Sequence, residues 1–296
     1  GVLAGDYLKE ASDSNFNMVA VGLLYRYGYF RQQIGPKGGQ MAVFEAEDFS
    51  QLPLVPVEDT DGKQVKISIV WPGRTVKAKI WEAKIGKVSL FLLDTDIEEN
   101  SHEDRQVTHQ LYGGDNENRL KQELLLGIGG IRALRAMGVK PDIYHSNEGH
   151  SAFIGLERLK YLMEKRHLTF DEAMEAIRSS TLFTTHTPVP AGHDLFEEGL
   201  LRKYIPHYPE RLKITWERLM SLGRAYNDYS GKFNMSFLAA RMSQEINGVS
   251  KLHGEVARKM FNVLYPGYLP EELFLGHVTN GVHYPTWLHR RWKEVY

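Results

Sequence analysis

Hydrophobic and polar residues alternate along this chain in blocks that predict strands and helices. Near the start, residues 3–12 have the apolar spacing of a helix, and residues 18–24 form an apolar strand. Residues 34–61 are rich in glycine, proline and acidic side chains, which favours a surface excursion or lid. Three further runs alternate strongly enough to predict antiparallel strands: 65–71, 75–82 and 88–94.

The middle of the chain alternates between predicted helices and strands. The predicted elements are a helix at 120–137 closed by Gly138, a strand at 143–146, helices at 149–165 and 170–179, and a strand at 181–185. From Pro209 onward the pattern is mostly helical, with an interruption at 248–250 and a last strand at 277–280. The predicted fold class is therefore α/β, with a mostly parallel sheet, helices on both faces and an antiparallel β insertion at about 34–95.

Composition removes several classes of protein from consideration. The 296 residues are 42% hydrophobic and 25% charged, with 36 Lys and Arg against 37 Asp and Glu, and no cysteine. The balanced charge argues against nucleic-acid partners and anionic membranes, and the lack of cysteine excludes disulfides and thiolate chemistry. Since no apolar run approaches the roughly 18 residues of a membrane span, we expect a cytoplasmic protein without a membrane partner.

Polar clusters lie where strands are predicted to end, which is where such sheets bind ligands. Residues 145–150, 184–196 and 279–283 occupy these places, and residues 112–117 precede the long helix. The clusters are rich in Asn, His, Asp and Glu and poor in Lys and Arg. Sugar hydroxyls need both donors and acceptors, so this chemistry indicates a sugar site.

These clusters also have structural explanations. Asp115 and Asn116 fit a cap for the following helix, Asp194 fits a helix cap after a tight turn, and His150 fits the first turn of a helix. The glycines of residues 126–131 predict close helix packing, because no strand precedes them as a dinucleotide loop requires. We expect no metal site, since the spacing within residues 145–150 does not bring both rings to one helical face. The four histidines considered for a metal were His145, His150, His186 and His193.

The order of the clusters and their amino-acid sequences resemble one family, the α-glucan phosphorylases of glycogen, starch and maltodextrin, in the shorter bacterial and archaeal branch. The resemblance spans the whole chain. The matching stretches are residues 1–13, 22–32, 111–116, 119–123, 145–158, 184–196, 247–255 and 278–282.

This resemblance implies a glycosyltransferase fold of the B type, with the active site between two Rossmann-like halves. Residues 1–296 resemble the N-terminal half alone. The C-terminal half, with the lysine that holds pyridoxal phosphate and the cations that bind phosphate, is expected outside this chain. We therefore expect no cofactor bound here, although Gly1 matches the last glycine of the family's phosphate loop.

The resemblance assigns two catalytic residues. The ring of His186 bonds the 6-hydroxyl of the transferred glucose, and its carbonyl lies near the anomeric carbon, where a fixed dipole stabilises positive charge. Asp115 tunes the field from the loop before the long helix. Pro188 and Pro190 hold the His186 loop at little ordering cost.

Four more residues are assigned to substrate binding. Asn116 reaches the 2-hydroxyl, and Asn280 lies near the 4- and 6-hydroxyls. Glu148 and His150 lie behind the pocket on the sugar's β-face.

The implied reaction is reversible phosphorolysis of a terminal α-1,4 linkage, with α-glucan and inorganic phosphate as substrates and α-glucose 1-phosphate as product. No Asp/Glu pair typical of a hydrolase stands out. Two alternatives remain: a nucleotide-sugar glycosyltransferase of the same fold, and a non-catalytic glucan-binding module. We expect the isolated fragment to be inactive and to need the missing C-terminal half; a homo-oligomer is compatible with the resemblance.

Overall fold

A computed structural model describes residues 2–111, 113–189 and 192–292 of the chain. The strands are β1 (Val19–Leu23), β2 (Arg31–Ile34), β3 (Gln40–Val43), β4 (Leu54–Pro56), β5 (Lys66–Trp71), β6 (Arg74–Ile85), β7 (Val88–Asp94), β8 (Tyr144–Asn147), β9 (Thr181–Thr184), β10 (Leu195–Glu197), β11 (Lys232–Asn234), β12 (Glu245–Gly248) and β13 (Leu275–His277).

The α-helices are α1 (Val2–Asp13), α2 (His102–Arg105), α3 (Asn116–Leu124), α4 (Gly130–Ala136), α5 (Ile154–Arg166), α6 (Phe170–Arg178), α7 (Glu198–Tyr204), α8 (Tyr208–Leu212), α9 (Trp216–Ser221), α10 (Met235–Arg241), α11 (Lys251–Phe261) and α12 (Tyr284–Trp287). Within the part of the chain that the structure describes, no helix combines the length and apolar character that crossing a membrane requires.

The predicted helix of residues 120–137 is longer than expected and contains a distortion. It begins at Asn116, and a π-helical turn, Leu125–Gly129, joins α3 to α4. A Cβ on Gly127 would lie 2.7 Å from Cβ of Phe153, so only glycine lets α5 approach this closely. The prediction that these glycines serve helix packing is confirmed.

Four parallel strands form one sheet in the order β13-β12-β9-β8. Its register places Asn147 beside Thr184 and Thr184 beside Asn247. Strands β11 and β12 were not predicted within the mostly helical stretch after Pro209, because each is short and is fixed by pairing with a distant strand. The predicted last strand at 277–280 begins and ends too late, since β13 is Leu275–His277.

A second sheet has the strand order β1-β7-β6-β4, with β5 also paired to β6. Strands β5, β6 and β7 are antiparallel, as predicted, and β1 runs parallel to β7. The expected parallel sheet and the expected antiparallel β insertion are thus both present among the described residues, as two separate sheets, and β1, which precedes the insertion, joins the second one. Within residues 34–61, β3 pairs with β2 in a largely exposed hairpin, as expected of a surface excursion.

One large hydrophobic core connects the two sheets and the helices between them. Phe183 of β9 and Phe261 of α11 are fully buried and meet edge to face, with ring centroids 6.0 Å apart. Apolar burial of this kind is the main stabilising term of a folded chain. It fixes the parallel sheet, and with it the loops that follow β8, β9 and β12.

Candidate functional site

The loops that follow β8, β9 and β12 leave the same edge of the parallel sheet. Asn147, Thr184 and Asn247 are neighbours in register, so the residues after them are brought together. The Thr185 N–H donates to the Asn247 carbonyl at 3.0 Å, which joins the start of the loop after β9 to strand β12. The predicted clusters at 145–150 and 184–196 therefore meet, as the sequence led us to expect.

Glu148 organises the loop after β9. Its backbone has φ +70°, a left-handed conformation that non-glycine residues rarely adopt. Its buried carboxylate accepts hydrogen bonds from the His186 N–H at 2.7 Å and from the Thr187 hydroxyl at 3.0 Å. It also accepts from its neighbour, the Gly149 N–H, at 3.2 Å. The predicted sugar contact of Glu148 stays a prediction, whereas its hold on the His186 loop is a feature of the structure.

The His186 ring is fixed by Asn147. Its Nε2 lies 2.8 Å from the Asn147 Oδ1, which suits a ring that carries its proton on Nε2. Burial lowers the pKa of His186, although the Glu148 carboxylate acts in the opposite direction. A neutral ring bonded in this way leaves Nδ1 as an acceptor, and Nδ1 has no hydrogen-bond partner among the described residues.

A cluster of charged groups lies beside this loop. The Asp194 Oδ2 is 2.9 Å from the His150 Nδ1 and 3.0 Å from the Arg119 Nη2, while the Arg119 Nε donates to the Asp194 Oδ1 at 3.2 Å. The Arg119 Nη2 is also 2.6 Å from the His150 Nδ1. Asp194 is not the predicted helix cap: strand β10 follows it, and its carboxylate neutralises Arg119 instead.

Glu123 of α3 completes this cluster. The Arg119 Nε lies 3.0 Å from the Glu123 Oε1, but the Nε–H is directed at Asp194, and neither Glu123 oxygen accepts a well-aligned hydrogen bond. Burial raises the pKa of Glu123 well above its usual value, and the Asp194 charge adds to this. Burial would also raise the pKa of Asp194, yet hydrogen bonds from His150 and Arg119 hold it well below its usual range.

Asp115 and Asn116 lie at the start of α3, where both are exposed. The Asp115 carboxylate accepts the Asn118 N–H at 2.8 Å and so caps the helix. The Asn116 amide donates to the Leu195 carbonyl at 3.2 Å, which ties the helix start to the residue after Asp194. The cap is thus confirmed for Asp115, and the sugar roles of both residues stay predictions.

Asn280 is exposed on the loop after β13, and its backbone N–H donates to the Val249 carbonyl at 3.0 Å. This bond places it next to the loop after β12, but its side chain makes no hydrogen bond within the described part of the chain. Gly1, the predicted remnant of the phosphate loop, and Pro190 lie outside the described residues.

The described residues bring one group of three metal-ligating side chains together, Glu123, His150 and Asp194, whose ligand atoms lie within 4.8 Å of one another. Arg119 contacts all three, so a guanidinium supplies the positive charge there. The four histidines considered from the sequence do not converge in this part of the chain. The other three bond elsewhere: His145 to Thr184, His186 to Asn147 and His193 to Ser236.

Several residues of this site were given no role in it from the sequence, among them Arg119, Asn147, Asp194 and His253, of which Asp194 was considered only as a helix cap. Asn147 and Asp194 lie inside clusters already identified as polar, so cluster membership was an available signal. Arg119 and His253 lie on helices, and nothing in the sequence shows which distant loop they meet. His253, for example, contacts Thr187, 66 positions away.

A separate cleft of about 540 Å³ is lined by Trp216, Arg224, Tyr226 and Arg241, among others. None of the predicted site residues lines it. The described residues that the sequence assigns to a sugar site therefore lie outside this cleft, at the open sheet edge.

Comparison with known proteins gives a consistent picture. The sequence model of the carbohydrate phosphorylase family matches residues 74–295. The chain is similar to a glycogen phosphorylase of Mycobacterium tuberculosis, at 45% identity over 307 aligned residues that cover 100% of this chain and 35% of that protein. A maltodextrin phosphorylase of Thermococcus litoralis is 42% identical, and this alignment also covers 100% of this chain and 35% of that protein. A glycogen phosphorylase of Aquifex aeolicus is 34% identical, covering 100% of this chain and 42% of its own length. The chain thus spans 35–42% of the length of these three relatives.

Proposed function

This chain belongs to the carbohydrate phosphorylase family, and from that membership we propose that it forms the N-terminal, Rossmann-like half of the catalytic core of an α-glucan phosphorylase. The complete enzyme transfers a terminal α-1,4-linked glucosyl unit to inorganic phosphate and releases α-glucose 1-phosphate. The family match favours this reaction over transfer from a nucleotide sugar. The proposal covers residues 1–296 and places the second half of a B-type glycosyltransferase fold outside them.

The observation that carries the proposal is the fixed His186 loop. Glu148 binds the His186 N–H, and Asn147 binds the ring through Nε2, so a neutral ring offers Nδ1 to a sugar hydroxyl. A group that is held in place before the substrate arrives loses little entropy when it binds. In our proposal Nδ1 accepts the 6-hydroxyl of glucose, and the His186 carbonyl dipole faces the anomeric carbon as positive charge develops.

The other assigned residues surround that sugar. Asn280 binds near the 4- and 6-hydroxyls, and Asn116 reaches the 2-hydroxyl from the start of α3. Asp115 adds negative charge at the same helix start. His150 and Glu148 lie behind the β-face, where their hydrogen bonds to Asp194 and to the His186 loop orient them.

The family uses pyridoxal phosphate, which needs cations for its phosphate group. At the site described above, the one guanidinium is that of Arg119, and it is committed to Asp194, His150 and Glu123. These residues therefore do not fit a phosphate-bearing cofactor. We place the cofactor and its lysine in the half outside this chain.

The test is a substitution in the complete enzyme that contains this chain. We expect His186→Ala to lower turnover by about 10- to 1000-fold, because a transition-state hydrogen bond and loop order are lost. Formation of α-glucose 1-phosphate from maltodextrin and phosphate is measured, with His102→Ala on the exposed helix α2 as the matched control. Wild-type turnover in His186→Ala would contradict the role of His186.

The same assay separates the alternatives. A complete wild-type enzyme that binds maltodextrin but forms no α-glucose 1-phosphate would support a glucan-binding module. Activity with a nucleotide sugar and none with phosphate would support the other glycosyltransferase class.

A further inference from the structure

Hydrogen bonds fix the groups on both sides of the peptide bond that joins His186 to Thr187. On one side the Glu148 carboxylate accepts the His186 N–H at 2.7 Å and the Thr187 hydroxyl at 3.0 Å. On the other side the Nε2 of His253 lies 3.0 Å from the Thr187 carbonyl oxygen. The His186 carbonyl between these anchors accepts no hydrogen bond from the described residues, so its dipole is free to meet a ligand.

The protonation of His253 follows from its two contacts. Its Nδ1 lies 3.1 Å from the Val249 backbone nitrogen, which can only donate, so Nδ1 must be an acceptor. The proton of the neutral ring is then on Nε2, where it donates to the Thr187 carbonyl. Both nitrogens are used, and the side chain is buried. His253 therefore has no nitrogen left for a substrate or for proton transfer.

The fold builds a fixed place for this ring. Ser250 caps α11 by accepting the His253 N–H at 3.1 Å, which puts the histidine in the first turn of the helix. A Cβ on Gly248 would come within 2.8 Å of the His253 Nδ1, so the glycine leaves room for the ring. The ring thus lies between the end of β12 and the loop after β9.

From this geometry we propose that His253 is a positioning residue, which together with Glu148 sets the direction of the His186 carbonyl dipole. The inference rests on the proposed function, in which that dipole stabilises charge at the anomeric carbon. Such stabilisation depends steeply on geometry, and a misplacement of about 1 Å can cost on the order of 100-fold in rate. His253 would then act on the transition state far more than on glucan binding.

Two substitutions separate the two hydrogen bonds of His253. In His253→Gln, the amide nitrogen reaches about as far as Nε2 and keeps a donor for Thr187. In His253→Asn, the amide reaches about as far as Nδ1 and keeps an acceptor for Val249, while the donor to Thr187 is lost. The pair is matched in polarity, so the two variants differ mainly in which bond survives.

In the complete enzyme we expect His253→Asn to lower kcat by about 10- to 100-fold, with the KM for maltodextrin changed less than about threefold. His253→Gln should keep most of the wild-type kcat. Equal kcat in the two variants, a higher kcat in His253→Asn, or a loss confined to KM would overturn the proposal. If the wild-type enzyme shows no phosphorolysis, the proposed function fails instead.

A second measurement needs only the 296-residue chain and no activity. Nitrogen-15 NMR of the imidazole rings reports which nitrogen carries the proton, and through-bond correlation of each ring with its own backbone in the wild-type chain identifies the His253 signal. We expect a protonated Nε2 and an unprotonated Nδ1 at neutral pH. The opposite tautomer would remove the donor to Thr187 and overturn the proposal, even if both variants failed to fold.

Discussion

The carboxyl groups of Asp194 and Glu123, which both lie beside the Arg119 guanidinium, differ in charge. The Arg119 Nε–H is directed at Asp194, and His150 also bonds this carboxylate, so Asp194 stays ionised at neutral pH. Glu123 is almost completely buried, receives no aligned hydrogen bond and faces the charge of Asp194. A buried carboxyl group that receives no aligned hydrogen bond favours its neutral form. Glu123 is therefore expected to keep its proton and to share it with Asp194.

This difference predicts a pH effect for Glu123→Gln. Above the ordinary pKa of 4.5, and up to the raised pKa of Glu123, the folded chain binds one proton more than the unfolded chain. The wild type then loses up to about 1.4 kcal/mol of unfolding free energy per pH unit in this window. Glutamine has the same shape and does not titrate, so the variant should gain stability relative to wild type as the pH rises.

Urea unfolding of the 296-residue chain between pH 5 and pH 8 tests this expectation. Glu255→Gln, at an exposed glutamate of α11 that forms no ion pair or side-chain hydrogen bond among the described residues, is the control for the substitution itself. A Glu123→Gln chain that becomes less stable than wild type as the pH rises would show that Glu123 is ionised and paired with Arg119.

Helix α1 lies against the last described part of the chain through a polar face. Asp6, Lys9 and Asp13 are three and four positions apart, so they share one side of the helix. The Asp6 carboxylate accepts the Trp287 Nε1–H at 2.7 Å and the His283 N–H at 3.1 Å. The His283 Nε2 is 2.9 Å from the Asp13 Oδ2. These bonds tie α1 to the segment that follows Asn280.

Asp6→Ala should weaken the attachment of residues 281–288 to α1 without unfolding the sheets. The bond to Trp287 is the main reason that the pKa of Asp6 is lowered, so the carboxylate is ionised and its loss leaves two donors without an acceptor. We expect faster amide hydrogen exchange at residues 281–288 and a modestly lower Tm. Asp6→Asn keeps an acceptor oxygen and should show a smaller effect. Unchanged exchange in Asp6→Ala would mean that packing alone holds the segment.

For the molecule as a whole, the sheet edge that carries the site is open to solvent. Asn280, Asp115 and Asn116 are exposed, and Val278 and Val282 are 64% and 68% exposed beside Asn280. Neighbouring exposed apolar side chains, in contrast to single scattered ones, commonly mark an interaction face. Catalysis of the proposed kind needs sugar and phosphate held together, and in our proposal this open edge contributes the sugar contacts alone.

The whole-molecule prediction is that the isolated 296-residue chain folds but does not catalyse phosphorolysis. After incubation with pyridoxal phosphate and dialysis, it should show no cofactor absorbance. With maltodextrin and phosphate, it should form no more α-glucose 1-phosphate than its His186→Ala variant. Product above that control would show that residues 1–296 are sufficient for the reaction.

Much of the fold could be predicted from the sequence, because local patterns specify it. Strands β5, β6 and β7 alternate apolar and polar residues, and α6 has the spacing and the Thr169 cap of an amphipathic helix. Strand β12 escaped prediction because its four residues carry little pattern of their own and are fixed by β9 and β13. Polar clusters at strand ends likewise marked the site in sequence, since their residue types are unusual for loops that only connect.

The sequence by itself therefore determined the family, the α/β class and the candidate residues of the proposed sugar site, because each depends on residues close together in the chain. Tertiary structure alone decided that Asp194 neutralises Arg119 instead of capping a helix, and that His253 donates to the Thr187 carbonyl. Both depend on residues more than 60 positions apart that meet only when the core packs. The charge of a carboxyl group and the position of a histidine proton depend on burial and on the nearest partner, so neither can be predicted from the local sequence.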